Sequence, residues 1–321
     1  MLRQWEAVRL AAERRTSALA FLLPARQPRA FWVRALVGYA FIAPNFLAFA
    51  VFVAGPVVVG LALSFTSWDL LSPPAFVGLG NYRHLLFDDR LFWHTLRNTL
   101  YYSLLTVPSG IAISLALALM MNQPLRGVRL YRTVYFIPVV CSSVAVALVW
   151  KWFYNTEFGV LNWILSLLNL PPQGWLTSSR WAMPAIALTV VWKGMGYNMV
   201  IFLAGLQDIP QHLQEAAAID GAGSWARLCH VTLPLLAPHL FFILVISIIG
   251  SFQAFDMVYV MTGGGPGNAT QVYNYYIWQN AFQFFKMGYA SALAYVLFGL
   301  IFLITLVQVR YLGRRVHYEL G

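Results

Sequence analysis

Six stretches of this chain, about 37–65, 97–121, 131–153, 181–206, 235–261 and 288–309, are long and apolar enough to leave water. Roughly 20 apolar residues in a helix cross the ~30 Å hydrocarbon core of a bilayer. Inside that core each segment must satisfy its own backbone donors and acceptors, so each stretch is predicted to be a helix. Composition agrees: 60% of residues are hydrophobic and 10% are charged, where a soluble globular chain carries about 25% charge. The expected fold class is all-α, a polytopic membrane protein with six transmembrane helices and membrane lipid as its main solvent. Pro44, Pro56, Pro108, Pro138 and Pro184 fall in or near these spans and predict kinks.

Six spans place both termini on one side. Seven arginines precede the first span, and Arg310, Arg314 and Arg315 follow the last. With Arg126, Arg129, Arg132 and Arg227, that side holds 14 of the 21 Lys and Arg residues. By the positive-inside rule the termini are cytoplasmic. This gives a cytoplasmic Arg-rich segment 1–34, a transmembrane domain 35–310 and a cytoplasmic tail 311–321. The first segment lacks the uninterrupted apolar run of a secretory signal. It reads equally well as an amphipathic helix on the inner membrane face or as a solvated tail. The net charge of +10 is thus a topology signal, and no nucleic-acid partner is expected. Cys141 and Cys229 are predicted at opposite depths, so no disulfide is expected. No metal-ligand spacing exists either.

Between the fourth and fifth spans the chain reads "QDIPQHLQEAAAIDGAGSWARLCHVTLPLLAP", from Gln207 to Pro238. Asp208 followed by Pro210 is a helix-start signal. "QHLQEAAAID" holds strong helix formers, and Gly221 and Gly223 stand where a helix stops. Ser224 is expected to cap a second short helix that Pro234 closes. The first helix is too short and polar to span a bilayer or to be stable alone. Ala216 and Ala217 leave room for close approach, Gly221 lets the backbone turn tightly, and Glu215 and Asp220 offer anionic contacts near the turn. Such a segment, about 208–223, either packs on its own spans or docks into another protein.

The spacing of "EAAAIDGAGSWARLCHVTLP" resembles the EAA motif of ATP-binding-cassette importer permeases: Glu-Ala-Ala, three residues, Gly, nine residues, then hydrophobic-x-Leu-Pro. Glu215, Ala216, Ala217, Gly221, Val231, Leu233 and Pro234 fill the matching positions. Leu228 stands where a large aromatic is often found. "FVGLGNY", "WKGMGYNMVIFLAGLQDIP", "TGGGPGNAT" and "GYASALAYVLF" resemble the carbohydrate branch of these importers, the maltose and glycerol-3-phosphate group, over about residues 35–310. The resemblance implies a type I importer permease fold, the first of two permeases. It also implies a second six-span permease, a cytoplasmic ATPase homodimer docked on Glu215, Ala216, Ala217, Asp220, Gly221 and Gly223, and an external solute-binding protein. A bacterial or archaeal cytoplasmic membrane follows from the same likeness.

No phosphate-cradling G-x-x-x-x-G-K-[ST] exists, because none of Lys151, Lys193 and Lys286 follows a glycine. The chain is therefore expected to carry no cofactor and not to be an enzyme, with ATP and Mg bound by the partner ATPase. A polar solute needs polar or aromatic groups facing a cavity. Spans four and five offer Lys193, Gly194, Tyr197, Asn198, Ser247, Ser251 and Asp256 as solute-binding candidates. The resemblance matches sugar-contacting positions of the maltose-type permease to Gly194, Tyr197, Ser247 and Ser251, while Val191 and Ala254 replace polar residues of that pattern. A sugar or oligosaccharide is the expected solute. Glycerol-3-phosphate, a glycerophosphodiester or another polar solute is the alternative, and Lys193 would suit an anion. A secondary carrier is a distant alternative: Asp256 is the only deep acid, and it leaves the EAA segment unexplained.

Overall fold

The computed structural model describes residues 29–123 and 126–311. The Arg-rich segment up to residue 28 and the tail from residue 312 lie outside the described residues, and so does the choice between interfacial helix and solvated tail. Internal contacts divide the chain into two units, 1–59 and 60–321. The first contains α1 (Arg29–Phe49), one π-helical turn (Ala50–Ala54) and the start of α2 (Gly55–Ser64). Residues 35–64 are long and apolar enough to cross a membrane, and no side chain of residues 35–59 is buried. An apolar surface without cover is what lipid, rather than water, stabilises.

The second unit opens with two short antiparallel strands, β1 (Thr66–Ser67) and β2 (Ala75–Phe76), in the register Thr66↔Phe76, then α3 (Gly80–Arg83). Helix α4 (Arg90–Met121) runs for 32 residues. It begins cleanly because the Asp89 carboxylate accepts from the amides of Leu91 (2.9 Å) and Phe92 (3.0 Å), two of the donors a helix start leaves bare. It passes through Pro108, beside which the Ser109 hydroxyl donates to the Leu105 carbonyl one turn back.

The third expected span is not one straight helix. Helices α5 (Val128–Val140) and α6 (Ser143–Phe153) meet at 99°. Pro138 gives up a donor in the last turn of α5, and Cys141 and Ser142 are extended. After α7 (Val160–Leu167), the fourth span is α8 (Ala182–Gln207), as expected. The fifth expected span, 235–261, is also interrupted. Helix α12 (Ala237–Phe252) ends there, residues 253–255 break it, and α13 (Asp256–Met261) is separate. The Asn274 side-chain amide donates to the Gln253 carbonyl (3.0 Å), a partner that replaces the helical bond lost at the break. Two helices complete the order, α14 (Tyr273–Trp278) and α15 (Met287–Tyr311). Four described helices, or six if each bent pair is one span, are long and apolar enough to cross a membrane.

Helix α8 is central, packing on α4, α5 and α12. Gly196 makes the α5 contact, for a Cβ there would run into the Tyr135 carbonyl. The two ends of α4 lie in different cores. Ala118 and Met121 pack with Phe202, Leu206 and Leu236, while Phe92 packs with Tyr273, Tyr289 and Leu293. The two cysteines are free thiols, Cys141 exposed and Cys229 half-buried.

Candidate functional site

Beyond the Met121 end of α4 the chain forms the short helix α9 (Gln211–Ile219). Pro210, not Asp208, is its N-cap residue, and Asp208 instead ends α8. At the other end Gly221 has φ +79°. Its amide donates to the Ala218 carbonyl (3.1 Å), and the Ala222 amide donates to that of Ala217 (2.9 Å). This paired closure requires a left-handed residue, which glycine adopts without strain. Gly221 thus ends the helix as its sequence position predicts.

The second arm differs from expectation. Gly223, not Ser224, is the N-cap of α10 (Ser224–Arg227). The helix continues through a π turn (Leu228–Thr232) into α11 (Leu233–Leu235), so Pro234 lies within the arm and does not close it. The bend, 68°, comes at Leu236 before α12. Gln214 donates to the Thr232 hydroxyl (3.1 Å) and ties the arms together. At the hairpin's base His239 Nε2 lies 3.9 Å from Asp208.

Glu215, Ala216, Asp220, Gly221 and Gly223 are exposed and Ala217 is half-buried. Glu215 accepts from Gln211 one turn earlier (2.7 Å). Ile219 and Trp225, which sequence reasoning passed over, flank the turn at 86% and 76% exposed. Their signal was there to read: a large apolar residue on each side of a glycine turn in an otherwise polar stretch. Ile219 and Trp225 thus stand uncovered on either side of the Gly221 turn.

Between α4, α8 and α12 lies a cavity of about 560 Å³. It gathers Gly194, Tyr197, Asn198, Ser247 and Ser251, five of the solute-binding candidates. Tyr102 and Thr106 of α4 also line it; sequence reasoning missed both because they lie in a different span from the others. The Ser251 hydroxyl is 2.8 Å from that of Ser103 and 2.8 Å from the Ile248 carbonyl. Aromatic faces and hydroxyls on a mostly apolar wall suit a polar organic solute. The structure does not bring Lys193 and Asp256 into this cavity. They line a neighbouring one of about 290 Å³, which shares Tyr102, Val190 and Gly250 with the first. Lys193 Nζ donates to the Val139 carbonyl (3.4 Å) at the end of α5, where a cation suits the freed carbonyls of the bend.

The opposite end of the spans is internally tied. Asp89 accepts from the hydroxyls of Tyr276 (2.7 Å) and Tyr289. Burial pushes its carboxyl upward, but these hydroxyls and the Phe92 and Leu91 amides outweigh burial and hold it below the ordinary carboxylate range. Asn98 donates to the carbonyls of Asn268 (2.8 Å) and Gln271 (3.1 Å), fastening the glycine-rich turn to α4.

Residues 110–318 match the family described as binding-protein-dependent transport system inner membrane component. The chain is 38% identical over 288 residues to the probable ABC transporter permease protein YesP of Bacillus subtilis, covering 88% of this chain and 93% of that protein. It is 39% identical over 277 residues to the sulfoquinovosyl glycerol transport system permease protein SmoG of Agrobacterium fabrum, covering 86% and 90%. Its fold resembles a chain of a bacterial ABC transporter involved in importing the acidic polysaccharide alginate, with a TM-score of 0.78, 26% identity and coverage of 88% and 96%. A second crystal structure of an alginate transporter, similar to the same degree by TM-score (0.78), includes an alginate pentasaccharide-bound periplasmic protein. The chain belongs to the binding-protein-dependent transport system inner membrane components. It is a membrane permease subunit of an ABC importer with the type I fold, and its family is one of transporters rather than catalysts.

Proposed function

We propose that this permease forms half of a pathway for a sugar or oligosaccharide and receives its driving energy through the hairpin around Glu215–Gly223. The cavity carries the reading. Tyr197, Tyr102, Asn198, Ser247 and Ser251 converge there, supplying aromatic faces for a sugar's CH surface and hydroxyl and amide groups for its OH groups. The names of SmoG and of the alginate transporter support a carbohydrate solute. Lys193, the cation that would suit an anion such as glycerol-3-phosphate, lines the neighbouring cavity and not this one.

In this reading the termini and the hairpin are cytoplasmic. A second six-span permease completes the pathway, and an external solute-binding protein delivers the solute. A cytoplasmic ATPase homodimer binds ATP and Mg and seats Glu215, Ala216, Ala217, Asp220, Gly221 and Gly223 in its cleft. Closure of that dimer moves the hairpin. Because the hairpin joins α8 directly to α12, the two walls that carry Tyr197 and Ser247 shift relative to α4. Alternating access follows.

The test is a ligand screen on the binding protein that co-purifies with this chain. Saturable binding of a sugar or oligosaccharide, with glycerol-3-phosphate and polyamines ignored, is expected. Preference for either of the latter would replace the solute assignment.

A further inference from the structure

Where the fifth span breaks, aromatic rings gather on α13 and α14. Phe255 and Tyr259 stack with centroids 5.3 Å apart and planes 12° apart. Tyr275 and Trp278 stack at 5.8 Å and 13°. Trp278 meets Tyr259 edge-on at 5.0 Å, and Phe282 continues the row at 6.4 Å. Tyr275 is buried beneath, whereas Tyr259 is 44% and Phe282 59% exposed. Rings held by stacking on one another cannot fold inward to hide, so the exposed edge is a fixed apolar surface.

Its surroundings decide what covers it. Phe255 also lines the 290 Å³ cavity, together with Gln253 and Asp256. That cavity shares Tyr102, Val190 and Gly250 with the larger one. Phe255 thus sets one end of the row on the cavity that adjoins the Tyr197–Ser251 one. Lipid is a poor occupant, because Gln253 and Asp256 are exposed beside the rings and would be costly against hydrocarbon. Flat apolar rings with an amide and a carboxylate at their rim instead match a pyranose ring, apolar on its CH face and hydroxylated at its edge.

We propose that Phe255, Tyr259 and Trp278 form a stacking station for a sugar ring at the mouth of the pathway, with Gln253 and Asp256 meeting its hydroxyls. The station rests on the sugar reading above. It holds one end of the solute before the Tyr197–Ser251 cavity takes it, and Tyr259 sets its affinity.

The test uses the complete transporter with its binding protein in nanodiscs and proteoliposomes, and a probe panel of maltose, trehalose, lactose and maltotriose. Tyr259→Ala is expected to raise the half-saturating concentration for uptake of the transported sugar about tenfold, as loss of one ring contact would. Tyr259→Phe, which keeps the ring, should restore it, and the second permease should remain in the purified Tyr259→Ala complex. Equal uptake by wild type and Tyr259→Ala would overturn the station while leaving the sugar reading intact. Loss of the second permease from Tyr259→Ala would overturn it by showing that the rings form a subunit interface. Failure of the wild-type binding protein to bind, and of the complex to take up, any sugar in this panel extended with alginate oligosaccharides and sulfoquinovosyl glycerol would overturn the sugar reading and the station together.

Discussion

The two ends of the spans are built on opposite plans. At the Asp89 end, residues far apart in sequence are bonded to each other: Asp89 with Tyr276 and Tyr289, Asn98 with Asn268 and Gln271. At the hairpin end, the bonds within residues 211–232 are nearly all local, and Ile219 and Trp225 stand in the open. One end finds its partners within the chain. The other leaves large apolar side chains uncovered, as the proposed ATPase dock requires.

Gly221→Val tests the contrast most severely. A Cβ at Gly221 would meet nothing within 4 Å among the described residues, so within them the demand for glycine comes from φ +79°. A β-branched residue in that conformation is strained. Uptake should fall more than tenfold while the chain remains inserted, as read by transport and by protease accessibility of the hairpin. Wild-type uptake would remove the turn from the mechanism.

Trp225→Ala comes next. Truncating a large exposed ring at an interface costs ~2 kcal/mol where the ring is a binding anchor, or about thirtyfold in affinity. ATPase recovered with the variant should drop accordingly, with the thermal stability of the isolated permease unchanged. A stability loss with full ATPase recovery would make Trp225 a packing residue instead.

At the tied end, Asn98→Ala should behave in the reverse manner. It strips partners from the Asn268 and Gln271 carbonyls, costing about 1 kcal/mol, seen as a lower unfolding midpoint in detergent with ATPase recovery intact. The smallest effect is expected from Asp89. Its folded carboxyl lies below the ordinary value of 3.8, so its stabilising contribution is complete above that value. It disappears as pH falls through the lower folded value. Asp89→Asn should therefore lower stability modestly at neutral pH, where the contribution is complete, and flatten the acid side of the stability profile below about pH 4, where wild type loses it too. An unchanged acid limb would mean that other carboxyls control it.

What was legible in the sequence follows the same division. Local physics could be read directly: the apolar runs that became α4, α8 and α15, and the glycine stop at Gly221. The breaks could not. The helix end at Phe252 is stabilised by Asn274, 21 residues on from Gln253, and the 99° bend after Pro138 adds Lys193, 54 residues from Val139. Nor could the sequence show that Tyr102 joins Tyr197 around one cavity, or that Lys193 and Asp256 belong to another. Such pairings depend on how helices pack, which a hydrophobic pattern leaves open. The hairpin caps failed for a smaller reason. Asp208 and Ser224 are good capping types, but Pro210 and Gly223 already hold the extended backbone that a helix start needs.

The most direct measurement is purification of the tagged chain from its own membranes, wild type and Gly221→Val in parallel, with every co-purifying protein identified by mass spectrometry. Wild type is expected to bring a second six-span permease, a soluble ATPase and an external binding protein. Gly221→Val is expected to keep the second permease and lose the ATPase. Wild type recovered intact without any ATPase, or a variant that retains it fully, would contradict the assignment of the hairpin as the point where energy enters.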